Sequence, residues 1–220
     1  EPIISFEGDI ICFAYTLALA RAALILAAMD TGSSFEGMGA SREALYGALI
    51  EPALMIGFAT LAMFCGYTTF ADIFAVKQSF DLHLTLVMLL AAYLFLRITF
   101  VEAGRVPVED PRTHLELTMI HEVMCLDYGG IDMLMIRIGG WLKTAAFSMI
   151  AANAIATVSC FKWWFAAPVA ILLTGVSVGI VESTQARNKL SRNTTFMVTI
   201  SALAALIFFI GYLLQLDINI

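Results

Sequence analysis

In a chain of 220 residues, a 60% hydrophobic share, only 14% charged residues and a mean hydropathy of +0.88 exclude a soluble globular domain, whose apolar share is nearer half. The composition is that of a membrane protein, and a net charge of −6 carries little information in that setting. There is no glycine-rich phosphate loop and no nucleophile elbow, so neither nucleotide nor nucleic acid is an expected ligand.

A hydrocarbon core of roughly 30 Å needs about 20 mostly apolar residues to cross it. Such windows can be placed six times, near 9–29, 43–66, 82–101, 131–157, 161–182 and 195–216. Their apolar runs are continuous instead of alternating, which selects helices over barrel strands. The expected fold is therefore all-α: a polytopic transmembrane bundle forming a single domain over 1–220, with no internal repeat. The chain opens at Glu1 with no basic n-region or cleavage site, so the first span is no signal peptide, and an N-terminal part is expected to be missing.

Ionisable residues punctuate these spans. Arg21, Glu51, Arg97, Arg137 and Lys143 all fall inside them, where a charge costs several kcal/mol, roughly, unless paired or wetted. Glu51 precedes Pro52, whose ring removes an amide donor and is expected to kink the helix beside the carboxylate. Two readings stand: a proton acceptor on a water pathway, or a salt bridge to an arginine of a neighbouring span. Arg97 lies near a helix end and can snorkel. Gly139 and Gly140, between Arg137 and Lys143, signal close helix approach.

Between the third and fourth spans lies a stretch of unusual charge, Glu102-Ala-Gly-Arg-Val-Pro-Val-Glu-Asp-Pro-Arg-Thr-His-Leu-Glu-Leu-Thr-Met-Ile-His-Glu122. Beyond Pro111 the pattern predicts an interfacial helix over 114–126. At 100° per residue it places His114, Thr118, His121 and Cys125 on one face and Glu116 on an apolar arc. His121-Glu122 is no metalloprotease motif, because Cys125 stands where the second histidine of H-E-x-x-H belongs. His114, His121 and Cys125 form a weak metal reading; a hydrogen-bonded histidine pair in a polar crevice is preferred. The four cysteines show no C-x-x-C spacing, so no cluster or structural zinc is expected in this chain. Trp163 and Trp164 beside Lys162 read as interfacial anchors, and Asn193-Thr-Thr as a chance glycosylation sequon.

If the six spans alternate, loops 30–42, 102–130 and 183–194 share one side. Arg42, Arg105, Arg112, Arg187, Lys189 and Arg192 lie there, against Lys77 in the opposite loops. The positive-inside rule makes that side cytoplasmic, so soluble partners are expected to dock there.

Three segments together resemble a known family. They are Gly37-Met-Gly-Ala-Ser-Arg-Glu43 leading to Glu51-Pro52, then Arg105 through Glu122, then Val181-Glu-Ser-Thr-Gln-Ala-Arg187. They are similar to the membrane subunit of formate hydrogenlyase and related energy-converting nickel–iron hydrogenases, a relative of subunit 1 of respiratory NADH:quinone oxidoreductase (complex I). In quinone-reducing members the loop has the form E-x-N-R-x-P-F-D-L-P-E. Glu102, Arg105, Pro107 and Pro111 keep that frame, while Gly104 replaces its asparagine and Glu109-Asp110 stand where Asp-Leu would be. That departure favours the hydrogenase side. Family members usually carry about eight transmembrane helices, and those preceding 9–29 are absent from this sequence.

The resemblance implies a membrane anchor in the inner (cytoplasmic) membrane. It would seat a nickel–iron hydrogenase module of large and small subunits, beside antiporter-like membrane subunits, and link redox chemistry to H⁺ or Na⁺ movement. The nickel–iron centre and iron–sulfur clusters would belong to those partners, with no cofactor in this chain. The ion-coupling candidates are Glu51, Glu116, His114, His121, Glu122, Arg97, Arg137, Lys143 and Glu182. The docking candidates are Arg42, Glu43, Glu102, Arg105, Glu109, Asp110, Arg112 and Arg187. Two rivals remain at this point: a quinone-site subunit, and an autonomous secondary transporter, which would ordinarily show inverted repeats.

Overall fold

The computed structural model describes residues 5–75, 82–106, 108–109, 120–158, 163–185 and 190–218. Among them there is no strand. The helices are α1 (Asp9–Asp30), α2 (Ser34–Cys65), α3 (Phe70–Ala75), α4 (Leu82–Glu102), α5 (Gly130–Val158), α6 (Trp163–Thr184) and α7 (Leu190–Ile218). Five of them, α1, α2, α4, α5 and α7, are long and apolar enough to cross a membrane. The remaining expected span falls on α6, whose described apolar stretch is the shorter Ile171–Thr184.

The centre of the bundle is α2 and α4. α2 packs against α1 and α7, α4 against α5, α7 and α2, and α6 leans on α5. Ile50, Leu61, Leu94, Phe95 and Ile98 are fully enclosed between them. Leu19, Leu26, Tyr93, Leu172 and Phe209 face outward, as apolar side chains do when lipid is the solvent. At the far end, Phe13, Phe58, Phe70 and Phe95 pack edge-on or tilted, with centroids 5.2–6.2 Å apart. There the short α3, which the hydropathy pattern does not announce, is held because Asp9 Oδ1 accepts the Phe70 amide at 2.8 Å.

α2 begins at Ser34, well before the apolar window at 43. Its first turns carry Glu36, Gly39, Ala40 and Glu43, all buried, because they face the α4–α5 loop and not lipid. The helix also runs on through Pro52. The ring leaves the Ala48 carbonyl without its helical donor, and Ser201 of α7 donates to the adjacent Leu49 carbonyl at 2.8 Å.

The interfacial helix expected over 114–126 is not realised in its described part. Residues 120–122 turn, and Val123–Cys125 form one 3₁₀ turn. The cause is local: Glu109 accepts the Ile120 and His121 amides at 2.6 and 3.2 Å, taking donors that an α-helix would spend on its own carbonyls. The Arg97 side chain lies over the Phe196 ring, 4.4 Å from its centroid, tying α4 to α7.

Gly39 is where α2 meets this turn. A Cβ there would stand 2.3 Å from Val123 Cγ1, 2.9 Å from Met124 Cγ and 3.1 Å from the Ile120 carbonyl oxygen. Gly39→Ala should therefore overpack the contact and cost about 1–3 kcal/mol, seen as a lower thermal midpoint in detergent.

Candidate functional site

At the end of the bundle where α1 and α4 finish and α2 and α5 begin, charged side chains meet around Arg21. This α1 residue is buried. Its Nη1 donates to Glu51 Oε1 at 2.9 Å, and its Nη2 donates to Glu102 Oε1. Its Nε lies 3.0 Å from Glu43 Oε1 in an ion pair whose N–H is not aligned for a hydrogen bond. One guanidinium thus engages carboxylates from α2 and α4, which its planar fork of donors suits. It can approach α2 because residue 47 is glycine: a Cβ there would lie 2.8 Å from both Cδ and Nη1 of Arg21.

The second oxygen of Glu102 accepts from Lys143 Nζ of α5 at 3.1 Å. On the loop side, Glu43 Oε2 lies 3.4 Å from His121 Nε2, and His121 Nδ1 lies 2.8 Å from Glu109 Oε2. The result is an unbroken line, Glu109–His121–Glu43–Arg21–Glu102–Lys143, with Glu51 as a branch. Four carboxylates face three cations even when His121 is protonated, so the line holds an excess negative charge.

Burial alone would lower the pKa of His121, but the Glu43 charge and the contact with Glu109 outweigh it and raise it to about 9. Burial likewise pushes Glu109 up, yet its bond to His121 and the amides of Ile120 and His121 hold it below the ordinary carboxylate range.

Several sequence candidates therefore converge: Glu43, Glu51, Glu102, Glu109, His121 and Lys143 are joined, and the Arg21–Glu51 pair is one of the two readings left open for Glu51. Arg105 and Glu182 pair with each other at 3.3 Å, linking the loop to α6. Glu122 and Arg137 line the same region, with Arg137 exposed. Arg97, beside Phe196, and Arg42, on the first turns of α2, take no part in this line. His114, Glu116, Asp110, Arg112 and Arg187 lie outside the described residues.

Besides Arg21, three contributors stand in neither candidate set. Glu36 is fully buried and its Oε1 accepts the Asp127 amide at 2.9 Å; its only signal was an acid in a helix's first turn. Asn193 is buried and donates through Nδ2 to the Val108 carbonyl at 2.8 Å, so it is a clasp between α7 and the loop. Gly104 takes φ +59°, and a Cβ on it would stand 3.0 Å from His121 Nδ1. Cys125 packs with Ala28, Ala40 and Met124. Burial pushes its thiol up to about 11, leaving it protonated and a poor metal ligand. Among the described residues, no group of three His, Cys, Asp or Glu side chains is placed to hold a metal ion.

Comparison with known proteins adds the lineage. A family model described as NADH dehydrogenase matches residues 2–213. The chain belongs to the NADH dehydrogenase family. It is 34% identical over 110 residues to formate hydrogenlyase subunit 4 of Escherichia coli (strain K12), covering 50% of this chain and 36% of that protein. It is 33% identical over 144 residues to hydrogenase-4 component C of the same organism, covering 65% of this chain and 44% of the relative. The matches thus span less than half of either relative. With its long apolar helices, this NADH dehydrogenase family member is a multi-pass membrane protein.

In this family member the charged line also borders a cavity of about 840 Å³ between α1, α5 and α6. Its walls are mainly apolar, with Leu24, Met133, Ile136, Trp141, Ile171 and Val178, and the members of the charged line from Arg21 to Lys143 also line it.

Arg21→Met should take the cation from Glu51 and leave the buried Glu102 and Glu43 to Lys143 and His121 alone, at a cost of about 3–5 kcal/mol. Gly47→Ala, which only displaces the guanidinium, should cost less. Thermal midpoints of both variants in detergent check the order; a stable Arg21→Met would contradict it.

Proposed function

We propose that this chain is the membrane-anchor and ion-coupling subunit of a redox-driven complex. It seats a nickel–iron hydrogenase module of large and small subunits on the face carrying the α4–α5 loop, next to antiporter-like membrane subunits, in the inner membrane. That face is cytoplasmic by the distribution of lysine and arginine. Electrons stay on the nickel–iron and iron–sulfur centres of the partners. The chain responds electrostatically: a change of charge at the docked module shifts the proton affinity of the line, each pKa unit being about 1.4 kcal/mol, and a proton or Na⁺ moves in consequence.

The observation that carries this reading is the continuity of the line. It begins at Glu109 and His121 in the loop and reaches Glu51, half-buried inside α2, through contacts of 3.4 Å or less. Structural ion pairs need no such continuity. The two hydrogenase relatives support the choice of module. Glu51 is the exit candidate, since its side chain is 40% exposed while those of Glu43 and Glu102 are at 6% and 7%. Glu109, Glu43 and Glu102 are buried, so docking contacts fall to the more exposed Arg105 and Glu122, with Arg42, Asp110, Arg112 and Arg187 as further candidates. Glu116 and His114 stay as candidate relay groups.

The cavity between α1, α5 and α6 favours a second reading, in which it admits a quinone and the complex is a quinone oxidoreductase. Blue-native electrophoresis with mass spectrometry of co-purifying subunits separates the two: a hydrogenase large subunit selects the first, a quinone-reductase module the second.

Glu51→Gln should leave the complex assembled and reduce ion movement per electron in sealed vesicles by several-fold; unchanged pumping would sink the coupling role. Arg105→Ala should lower the yield of soluble subunits on affinity purification, whereas undiminished recovery removes Arg105 from the docking surface.

A further inference from the structure

The described end of the α4–α5 loop is tied to α2 at two places, the Asp127 amide on Glu36 and, nearer the charged line, the imidazole of His121. His121 sits between two carboxylates, with Nδ1 2.8 Å from Glu109 Oε2 and Nε2 3.4 Å from Glu43 Oε2. A neutral imidazole has one N–H and one lone pair, so one of these carboxylates would face a lone pair; only the imidazolium presents a donor to each. The charged groups that share its surroundings are Arg21 of α1, Glu43 of α2, Glu102 of α4, Arg137 and Lys143 of α5, Glu182 of α6, and Arg105, Glu109 and Glu122 of the loop. Arg21 and Lys143 already hold Glu102, and Arg21 also holds Glu51. Among the described ion pairs, His121 is the cation that reaches both Glu109 and Glu43.

The loop backbone depends on the same contact. Glu109 accepts the Ile120 and His121 amides on its two oxygens, most strongly as a carboxylate held in place. The pair fits because residue 104 is glycine: besides its left-handed φ of +59°, a Cβ would stand 3.0 Å from His121 Nδ1 and 3.4 Å from Glu109 Oε2.

We propose that His121 is a proton-binding latch. With the proton bound, Glu43, imidazolium and Glu109 fasten segment 120–125 onto the first turns of α2, over Gly39. When the proton leaves, Glu43 and Glu109 face each other across a neutral ring, and the segment is released. Proton occupancy and loop position are then one equilibrium, and a partner that grips the loop in one position changes the proton affinity of His121 by the same factor. A raised pKa makes the latch complete below the ordinary value of 6.5 and lost as pH rises through about 9. The latch would operate in a chain that moves no ion, so its test is separate from the pumping measurement.

The chain has three histidines, His83, His114 and His121, so histidine ¹⁵N NMR of the full chain in lipid nanodiscs can follow each. His121→Gln identifies the His121 signal by its loss. The wild-type ring should be doubly protonated at pH 7.5. Hydrogen–deuterium exchange at that pH should show the Ile120 and His121 amides protected, and His121→Gln should speed their exchange by about tenfold or more. Gly104→Ala, which removes no titratable group, should do the same by displacing the ring. Amides of α2 beyond Pro52 should exchange as in the wild type in both variants. A neutral His121 at pH 7.5, wild-type loop protection in His121→Gln, or loss of α2 protection together with the loop in both variants would each overturn the latch.

Discussion

Everything at the charged end of this bundle depends on where Arg21 puts its guanidinium. A cation inside a membrane helix is tolerated only if its cost of leaving water is met by partners. Here the partners are Glu43 and Glu51 of α2 and Glu102 of α4, so the solution for one residue ties three helices together. Gly47 is the steric condition for it. Once the guanidinium is placed, Glu102 has a free oxygen for Lys143, which brings in α5, and Glu43 has a free oxygen for His121, which brings in the loop.

Such a network is also chemically unsettled. Four carboxylates against at most three cations leave negative charge that a proton can neutralise, and low local polarity makes each charge felt by the rest. A structural lock would ordinarily be balanced. The imbalance, and the partial exposure of His121 on the loop side and of Glu51 on its branch, are what a charge-responsive element requires.

The helices and their order were legible in the sequence because the bilayer imposes a length on apolar runs, and the apolar windows correspond to α1, α2, α4, α5, α6 and α7. The early start of α2 was not, because its first turns bury Glu36 and Glu43 against protein. The turn at 120–122 was missed because an acid eleven residues back in the chain, Glu109, took the amides on which a helical reading relied. Asn193 was set aside as a chance sequon, since nothing in its neighbours discloses that Val108 would lie across from it.

By itself the sequence determined that this is an all-helical membrane protein, which apolar segments form its long helices, and which motifs carry its family resemblance. Those properties are local or compositional: they depend on run lengths, on the types of residue and on words of a few letters. Only the tertiary structure decided that Arg21, one of several intramembrane charges and in neither candidate set, is the hub of the site. Its partners lie 30 and 81 residues away in the chain. Hydropathy treats each charge as an isolated cost, whereas its true cost depends on which counter-charges the packing of α1, α2 and α4 brings within reach.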